Sequence, residues 1–410
     1  MEPAADRESN AVRNMIPIDE AKRIVRSMTR PLGTVSVSLE DCVGWVLTED
    51  ISADLDLPPF DRSQMDGFAV KSSDTRNAPA ELDLIGESVA GRGWDGVLRS
   101  GQAVKTMTGA RVPEGADAVQ QIELAEQGDG KVTILKSASA GKNIVGKGEE
   151  IKAGETVIAK GERITKAMVA TMAAFGYSAV QVAHRPRLSI LSTGSEIVDV
   201  SEVPGRDQIR NSNSPMIAAF AGEYAATSIL PIATDDPAGL KIAITEALED
   251  CDCLVISGGV SVGDYDFTKP VLRELGAELH FEKLELKPGK PTVFATLGEK
   301  VIFGLPGNPV SFAVTFLVFV RMALLLMQSA SEPELRKAFA TVTHDIRGTK
   351  GRDGLLPVKV GFSSDGRMLI ESLKFSGSSN FVTFAHADAI AFVPREHGLS
   401  KGEVTEVNFI

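Results

Sequence analysis

What this chain lacks narrows the field first. It has three cysteines, Cys42, Cys251 and Cys253, an odd number at spacings that form no disulfide framework. A cross-linked secreted scaffold is therefore excluded and a reducing, cytoplasmic setting is expected. Cys251-Asp252-Cys253 has no second Cys or His pair beside it, and the five histidines are scattered without a zinc motif, so the two cysteines read as a strand entrance. Basic residues are outnumbered, 43 against 55 acidic, for a net charge of -12. That balance argues against a nonspecific nucleic-acid binder, and any anionic ligand needs lysines concentrated locally against a repulsive field. Long hydrophobic runs are missing too. Met1 to Asn14 is polar with no apolar signal core, and the one long apolar run, Phe312 to Met327, is broken by Arg321 and falls short of the ~20 residues of a membrane span. It reads as a buried helix, and no membrane partner is expected.

What is present is length and alternation. At 410 residues the chain exceeds one core and predicts about three or four domains. Ile18, Ala21, Ile24, Val25 and Met28 fall at helical spacing behind Pro17. A loop dense in polar residues follows at 57–70, with Asp61, Arg62, Ser63 and Asp66 within six positions. Residues 70–160 read as short strands between glycine turns, a β-rich module containing a second constrained loop around Thr108. The Thr108 hydroxyl is placed to donate to a phosphate or oxyanion, or to bond within its own turn. Residues 163–176 read as a helix with Met168, Val169, Met172 and Phe175 as core. From His184 strands and helices alternate, the signature of a parallel sheet, and after Ser331 the pattern returns to strands alone.

The stretch from Leu254 to Lys290 organises the rest. An apolar strand, Leu254-Val255-Ile256, runs into Ser257-Gly258-Gly259-Val260-Ser261-Val262-Gly263 and then a helix carrying Val271, Leu272 and Leu275. Glycines let backbone approach an anion, and open α/β sheets bind ligands at the carboxyl ends of their strands. Three strands in succession end in Glu196, Asp235/Asp236 and Asp264/Asp266, so these carboxylates are expected along one sheet edge, where a hard cation or proton transfer is suggested. Asp236 and Asp266 could equally cap the helices they precede. Alternation in Lys283-Leu284-Glu285-Leu286-Lys287 puts Lys283 and Lys287 on one face.

The motifs PPFDRSQMDGFAV (58–70), MTGARVPEGADAV (107–119), GKNIVGKGEEIKAGE (141–155), STGSEI (192–197), DDP (235–237), SGGVSVGDYDFTK (257–269), KLELKPGKP (283–291) and GLPGNPVS (304–311) together resemble the molybdopterin molybdenumtransferase family, which includes the bacterial MoeA proteins and the C-terminal domain of gephyrin. The resemblance covers nearly the whole chain from about residue 16. It implies a multidomain α/β plus β fold: a linking domain at 16–50 and 147–183, an inserted β-rich domain at 51–146, an α/β molybdopterin-binding domain with a parallel-rich sheet at 184–331, and a C-terminal β-barrel-like domain at 332–410. It also implies a homodimer that inserts molybdate into adenylylated molybdopterin and releases AMP with Mg²⁺ assisting. A molybdopterin adenylyltransferase and recipient molybdoenzymes are the implied partners. Carried over by motif, the catalytic candidates are Asp61, Thr108, Lys283, Lys287 and Asp266, with Glu150 beside them. The cofactor-binding candidates are Ser192, Thr193, Gly194, Ser257, Gly258, Gly259, Ser261, Gly263, Pro306, Gly307 and Asn308, and the metal candidates are Glu196, Asp235 and Asp266.

The chain departs from the family pattern at Glu150, where Asp is usual, at Val145, where Arg is usual, and across 377–389, from which no site residue is carried over. Two alternatives are a pyrophosphatase on the same α/β domain and a noncatalytic molybdopterin-binding scaffold.

Overall fold

The computed structural model describes residues 15–260, 266–373, 377 and 379–410. The chain forms two compact units, one made of residues 50–159 and 167–178 and the other of the remainder.

The smaller unit is built on a six-stranded sheet in the order Ala118–Gln121, Gly67–Val70, Gln102–Thr106, Ala80–Ser88, Lys131–Ile134, Ala125–Gln127. Neighbours are antiparallel except for Ala80–Ser88 beside Gln102–Thr106. Strand alternation sends Phe68 and Val70 into one apolar cluster and Ala69 into another, so both faces of Gly67–Val70 are covered. Gly67 has no room for a side chain, because a Cβ there would stand 1.9 Å from the Gln120 carbonyl oxygen. The Met172 and Phe175 side chains of the Lys166–Ala174 region are buried, as core residues should be.

The larger unit opens with the helix Ile18–Met28, which begins after Pro17 and buries Ala21 and Val25. Thr34–Ser38 then pairs antiparallel with Ala179–Ala183. Its centre is a six-stranded sheet ordered Ala226–Ile229, Arg187–Ser192, Cys253–Ser257, Lys300–Leu305, Val293–Leu297, Glu278–Phe281. The first four strands are parallel, and Val293–Leu297 runs against both of its neighbours. All five residues of Cys253–Ser257 are buried, which suits a strand covered on both faces. On one face Ile190, Val255 and Phe303 join the residues of Asn213–Ala221 and of the apolar helix 309–327. On the other, Leu191, Leu254 and Ile302 meet Pro237–Glu249 and Thr268–Glu274. Each large side chain taken fully out of water in this way contributes roughly 1.5–3 kcal/mol.

The apolar run is a core helix: 89% of an 18-residue stretch within Pro309–Met327 is buried, and the Arg321 that breaks it lies over the Tyr224 ring and donates to the Pro333 carbonyl at 3.0 Å. The edge strand of this sheet ends at Ile229, and the chain continues through a parallel bridge from Ala233 to Thr193. After residue 331 the strands Lys337–Val342, Asp353–Phe362, Met368–Ser372, Ala389–Val393 and Val404–Phe409 close into a five-stranded barrel around Val358, Ile370, Ala391 and Val407. The barrel also takes on a short outside strand, Leu286–Lys287, paired parallel to Asp353–Gly354.

Candidate active site

In the central sheet the chain order reverses between Arg187–Ser192 and Cys253–Ser257, since the second strand joins one side of the first and the third strand the other. A crevice is expected outside the carboxyl ends at such a point. A cavity of about 1000 Å³ is found there. Its walls include Ser192, Thr193 and Glu196 after the first strand, Ser257, Gly258, Gly259 and Asp266 after the third, and Pro306, Gly307 and Asn308 after Lys300–Leu305. The glycines are needed there. Gly258 has φ +92°, and a Cβ on it would meet the Thr193 carbonyl oxygen at 2.9 Å; Gly194 has φ +141°, and a Cβ on it would meet a Glu196 carboxylate oxygen at 2.7 Å.

Two asparagines that sequence reasoning did not single out hold these loops in register. The Asn211 amide donates to the Ser192 and Ser214 hydroxyls at 3.1 Å each, and those hydroxyls are 2.8 Å apart. The Asn213 amide donates to the Ser257 hydroxyl at 3.0 Å and to the Gly307 carbonyl at 2.8 Å. A carbonyl can only accept, so the Gly307 contact fixes which way the Asn213 amide faces. Asn211, Asn213, Ser192, Ser214 and Ser257 are all more than nine-tenths buried, where hydrogen bonds between side chains rigidify their surroundings, although the Asn213 Oδ1 accepts no bond among the described residues. Backbone bonds complete the frame: Thr193 N–H donates to the Ser257 carbonyl at 3.1 Å and Gly258 N–H to the Leu305 carbonyl at 3.2 Å.

Of the acids, Glu196 and Asp266 line the cavity, while Asp235 is not among its lining residues and is exposed, accepting from the Thr193 hydroxyl at 3.5 Å. Asp236 is a helix cap, its side chain accepting from Gly239 N–H at 2.8 Å, and with Thr234 this holds its carboxyl below the usual range. Asp266 is not a cap; the residue before Thr268–Glu274 is Phe267, which makes no side-chain cap bond. Ser261, Gly263 and Asp264 lie outside the described residues. Among the described residues no three His, Cys, Asp or Glu side chains form a ready-made metal cage. Two carboxylates in the cavity lining, Glu196 exposed and Asp266 with both oxygens buried, instead suit Mg²⁺, which keeps waters and substrate phosphates and takes only one or two protein carboxylates.

Burial alternates along Lys283-Leu284-Glu285-Leu286-Lys287 as the pattern requires, with both leucines fully buried and Lys287 exposed. Neither lysine is among the residues lining the cavity, to which this stretch contributes Pro291. Arg210 lines it as well, its Nε donating to the Glu202 carbonyl at 2.9 Å. Ser379 and Phe381 reach it from the C-terminal region, in the segment from which nothing was carried over. The cysteines are free and buried, and burial pushes the Cys253 thiol well up, so the pair is structural.

The other candidates belong to the smaller unit, where three distant loops meet. Arg62–Ser63 pairs antiparallel with Ile144–Val145, and Gly109 N–H donates to the Ser63 carbonyl at 2.8 Å. Asp61 accepts from Lys147 N–H at 2.8 Å, and Glu150 pairs with Arg62 at 3.3 Å. Thr108 does not bond within its own turn; its N–H and its hydroxyl both donate to one Asp66 oxygen at 2.7 Å and hold that carboxyl below its ordinary value. Asp61, Asp66, Thr108 and Glu150 are exposed.

Comparison with known proteins agrees with this architecture along nearly the whole chain. The molybdopterin molybdenumtransferase of Staphylococcus aureus (strain COL) is 35% identical over 404 residues, 96% of each chain. The chain belongs to the molybdopterin molybdenumtransferase family. The Bacillus subtilis (strain 168) member is likewise 35% identical, over 97% of this chain and 95% of its own. The family's regions fall in order: the MoeA N-terminal region (domain I and II) matches residues 16–176, the "Probable molybdopterin binding domain" 189–326, and the MoeA C-terminal region (domain IV) 340–410. A crystal structure of the molybdopterin biosynthesis MoeA protein from Pyrococcus horikoshii OT3 superposes with a TM-score of 0.83 at 29% identity, covering 97% of this chain and all of that one. Membership in the family makes this protein a transferase of molybdenum cofactor biosynthesis.

Proposed function

We propose that the protein inserts molybdate into adenylylated molybdopterin and releases AMP, as a cytoplasmic homodimer assisted by Mg²⁺. The observation that carries this reading is the cavity at the strand ends, where Glu196 and Asp266 stand beside the glycine loops at Gly258-Gly259 and Pro306-Gly307-Asn308. Backbone amides and hydroxyls in these loops suit phosphate oxygens, and the buried asparagine network keeps them preorganised. Glu196 and Asp266 would hold the cation or its waters, and the cation when bound would neutralise the phosphate linkage and polarise it for cleavage. Lys283 and Lys287 attract molybdate and balance the charge that grows on departing AMP. Asp61, Thr108 and Glu150 act from the β-rich unit of a partner subunit, with Asp61 positioning the substrate. A molybdopterin adenylyltransferase supplies the substrate, and molybdoenzymes take the product.

AMP release from adenylylated molybdopterin, followed chromatographically with and without molybdate, tests the reading. Molybdate-dependent release by the wild-type protein is expected, slowed on the order of a hundredfold in Asp266→Asn, the effect of removing one group from a preorganised charged site. Release at the wild-type rate by that variant would remove Asp266 from the mechanism, and no molybdate-dependent release at all would remove the function. Binding of molybdopterin without AMP release would favour the scaffold, and molybdate-independent cleavage the pyrophosphatase.

A further inference from the structure

The cavity at the strand ends carries its charged and hydrogen-bonding side chains where its loops converge, and a second space lies against it. This neighbouring hollow of about 450 Å³ shares Ser212, Pro309 and Phe381 with the first. Its other walls are almost entirely apolar, with Met216, Phe220, Phe384 and Ile410 among them. The rings are fixed by packing. Phe220 stacks on Phe316 at 6.3 Å between centroids and meets Phe384 edge-on at 6.5 Å, and Phe384 is itself buried. Phe381 differs: it is 48% exposed although it stands on the boundary between the two spaces. It opens the short helix Phe381–Phe384, whose preceding Asn380 accepts from Thr383 N–H at 3.2 Å, so the ring is carried on a capped turn.

A hollow of this size lies within the range of about 300–1,000 Å³ typical of small-molecule sites. A half-exposed aromatic shared by such a hollow and a cavity whose glycine loops suit phosphates matches a ligand with an anionic middle and a flat aromatic end. We infer that the apolar hollow is the subsite for a flat nitrogen heterocycle of the substrate, stacked on the face of Phe381. This rests on the function proposed above and extends it, because adenylylated molybdopterin carries two such rings, a pterin and an adenine, on either side of its phosphates. Stacking of a base on an aromatic side chain contributes about 1–3 kcal/mol, and it is tolerant of which ring is stacked.

The test measures calorimetric binding of AMP and, separately, of 6-carboxypterin to the full-length wild type, Phe381→Ala and Phe381→Trp, with inorganic pyrophosphate as a control for the polar cavity. Phe381→Ala is expected to weaken one of the two heterocycles about tenfold, which corresponds to about 1.4 kcal/mol, and to leave pyrophosphate binding unchanged. Phe381→Trp is expected to restore the lost affinity, which a merely structural role would not do. The ring that responds identifies the end of the substrate. Equal affinity of all three proteins for both heterocycles, or an equal loss for pyrophosphate, would overturn the inference. Wild type that binds neither ring would count against the function itself, so the two failures are distinguishable.

Discussion

At the ends of the central strands, Ser192, Asn211, Asn213, Ser214 and Ser257 are buried and bonded to one another, whereas in the smaller unit Asp61, Asp66, Thr108 and Glu150 stand in water, with Asp61 and Asp66 held by backbone N–H groups. The first arrangement ties function to stability, because removing one member strands a buried partner. The second separates them, since an exposed side chain can be changed while the loop beneath it keeps its backbone bonds.

The contrast is sharpest at Asn213. Asn213→Leu leaves the Ser257 hydroxyl and the Gly307 carbonyl without their donor and is expected to cost about 3 kcal/mol in urea unfolding; a change under about 0.5 kcal/mol would break the distinction. Arg395→Met is expected to be intermediate. Arg395 holds Asp353 at 2.7 Å and Glu285 at 2.7 Å, so it braces the stretch carrying Lys283 and Lys287, and its loss should slow AMP release about tenfold. The same pair has a pH signature. The Arg395 hydrogen bonds keep the Asp353 carboxyl below its ordinary value. The stabilisation is therefore complete above the unfolded value of about 3.9 and is lost as pH falls through the lower folded one. Acid unfolding of Arg395→Met should begin at higher pH than wild type, as monitored by circular dichroism.

Asp61→Asn should shift stability by no more than about 0.5 kcal/mol while lowering AMP release, because the amide oxygen still accepts from Lys147 N–H and only the charge is lost. A large loss of stability there would show that the exposed cluster is structural after all. The smallest effect belongs to Thr108→Val, which keeps the N–H bond to Asp66 and removes the hydroxyl. The Asp66 titration, followed by NMR, should move partway up toward the ordinary carboxylate range.

The same division governs what could be read from the residues in order. Arg187–Ser192 and Cys253–Ser257 were legible because each is an apolar run ending at a glycine loop, and the barrel strands because they alternate. Asn211 and Asn213 were not, because they follow an irregular stretch with no periodicity and their bonds reach Ser192, Ser257 and Gly307, up to 94 residues away. Ser379 and Phe381 were passed over for a related reason: the segment from Gly377 has no helical or strand pattern long enough to show which way its side chains point. Acids before helices were ambiguous by nature, and coordinates were needed to find Asp236 on a Gly239 amide and Asp266 on a cavity wall.

The parallel pairing of Leu286–Lys287 with the first long barrel strand has a consequence for how such proteins can be recombined. The backbone that shapes the lysine stretch is borrowed from a segment that begins more than sixty positions downstream. A hybrid that grafts a foreign barrel onto this α/β layer must therefore reproduce that edge and the Arg395 clamp, not merely a well-folded replacement.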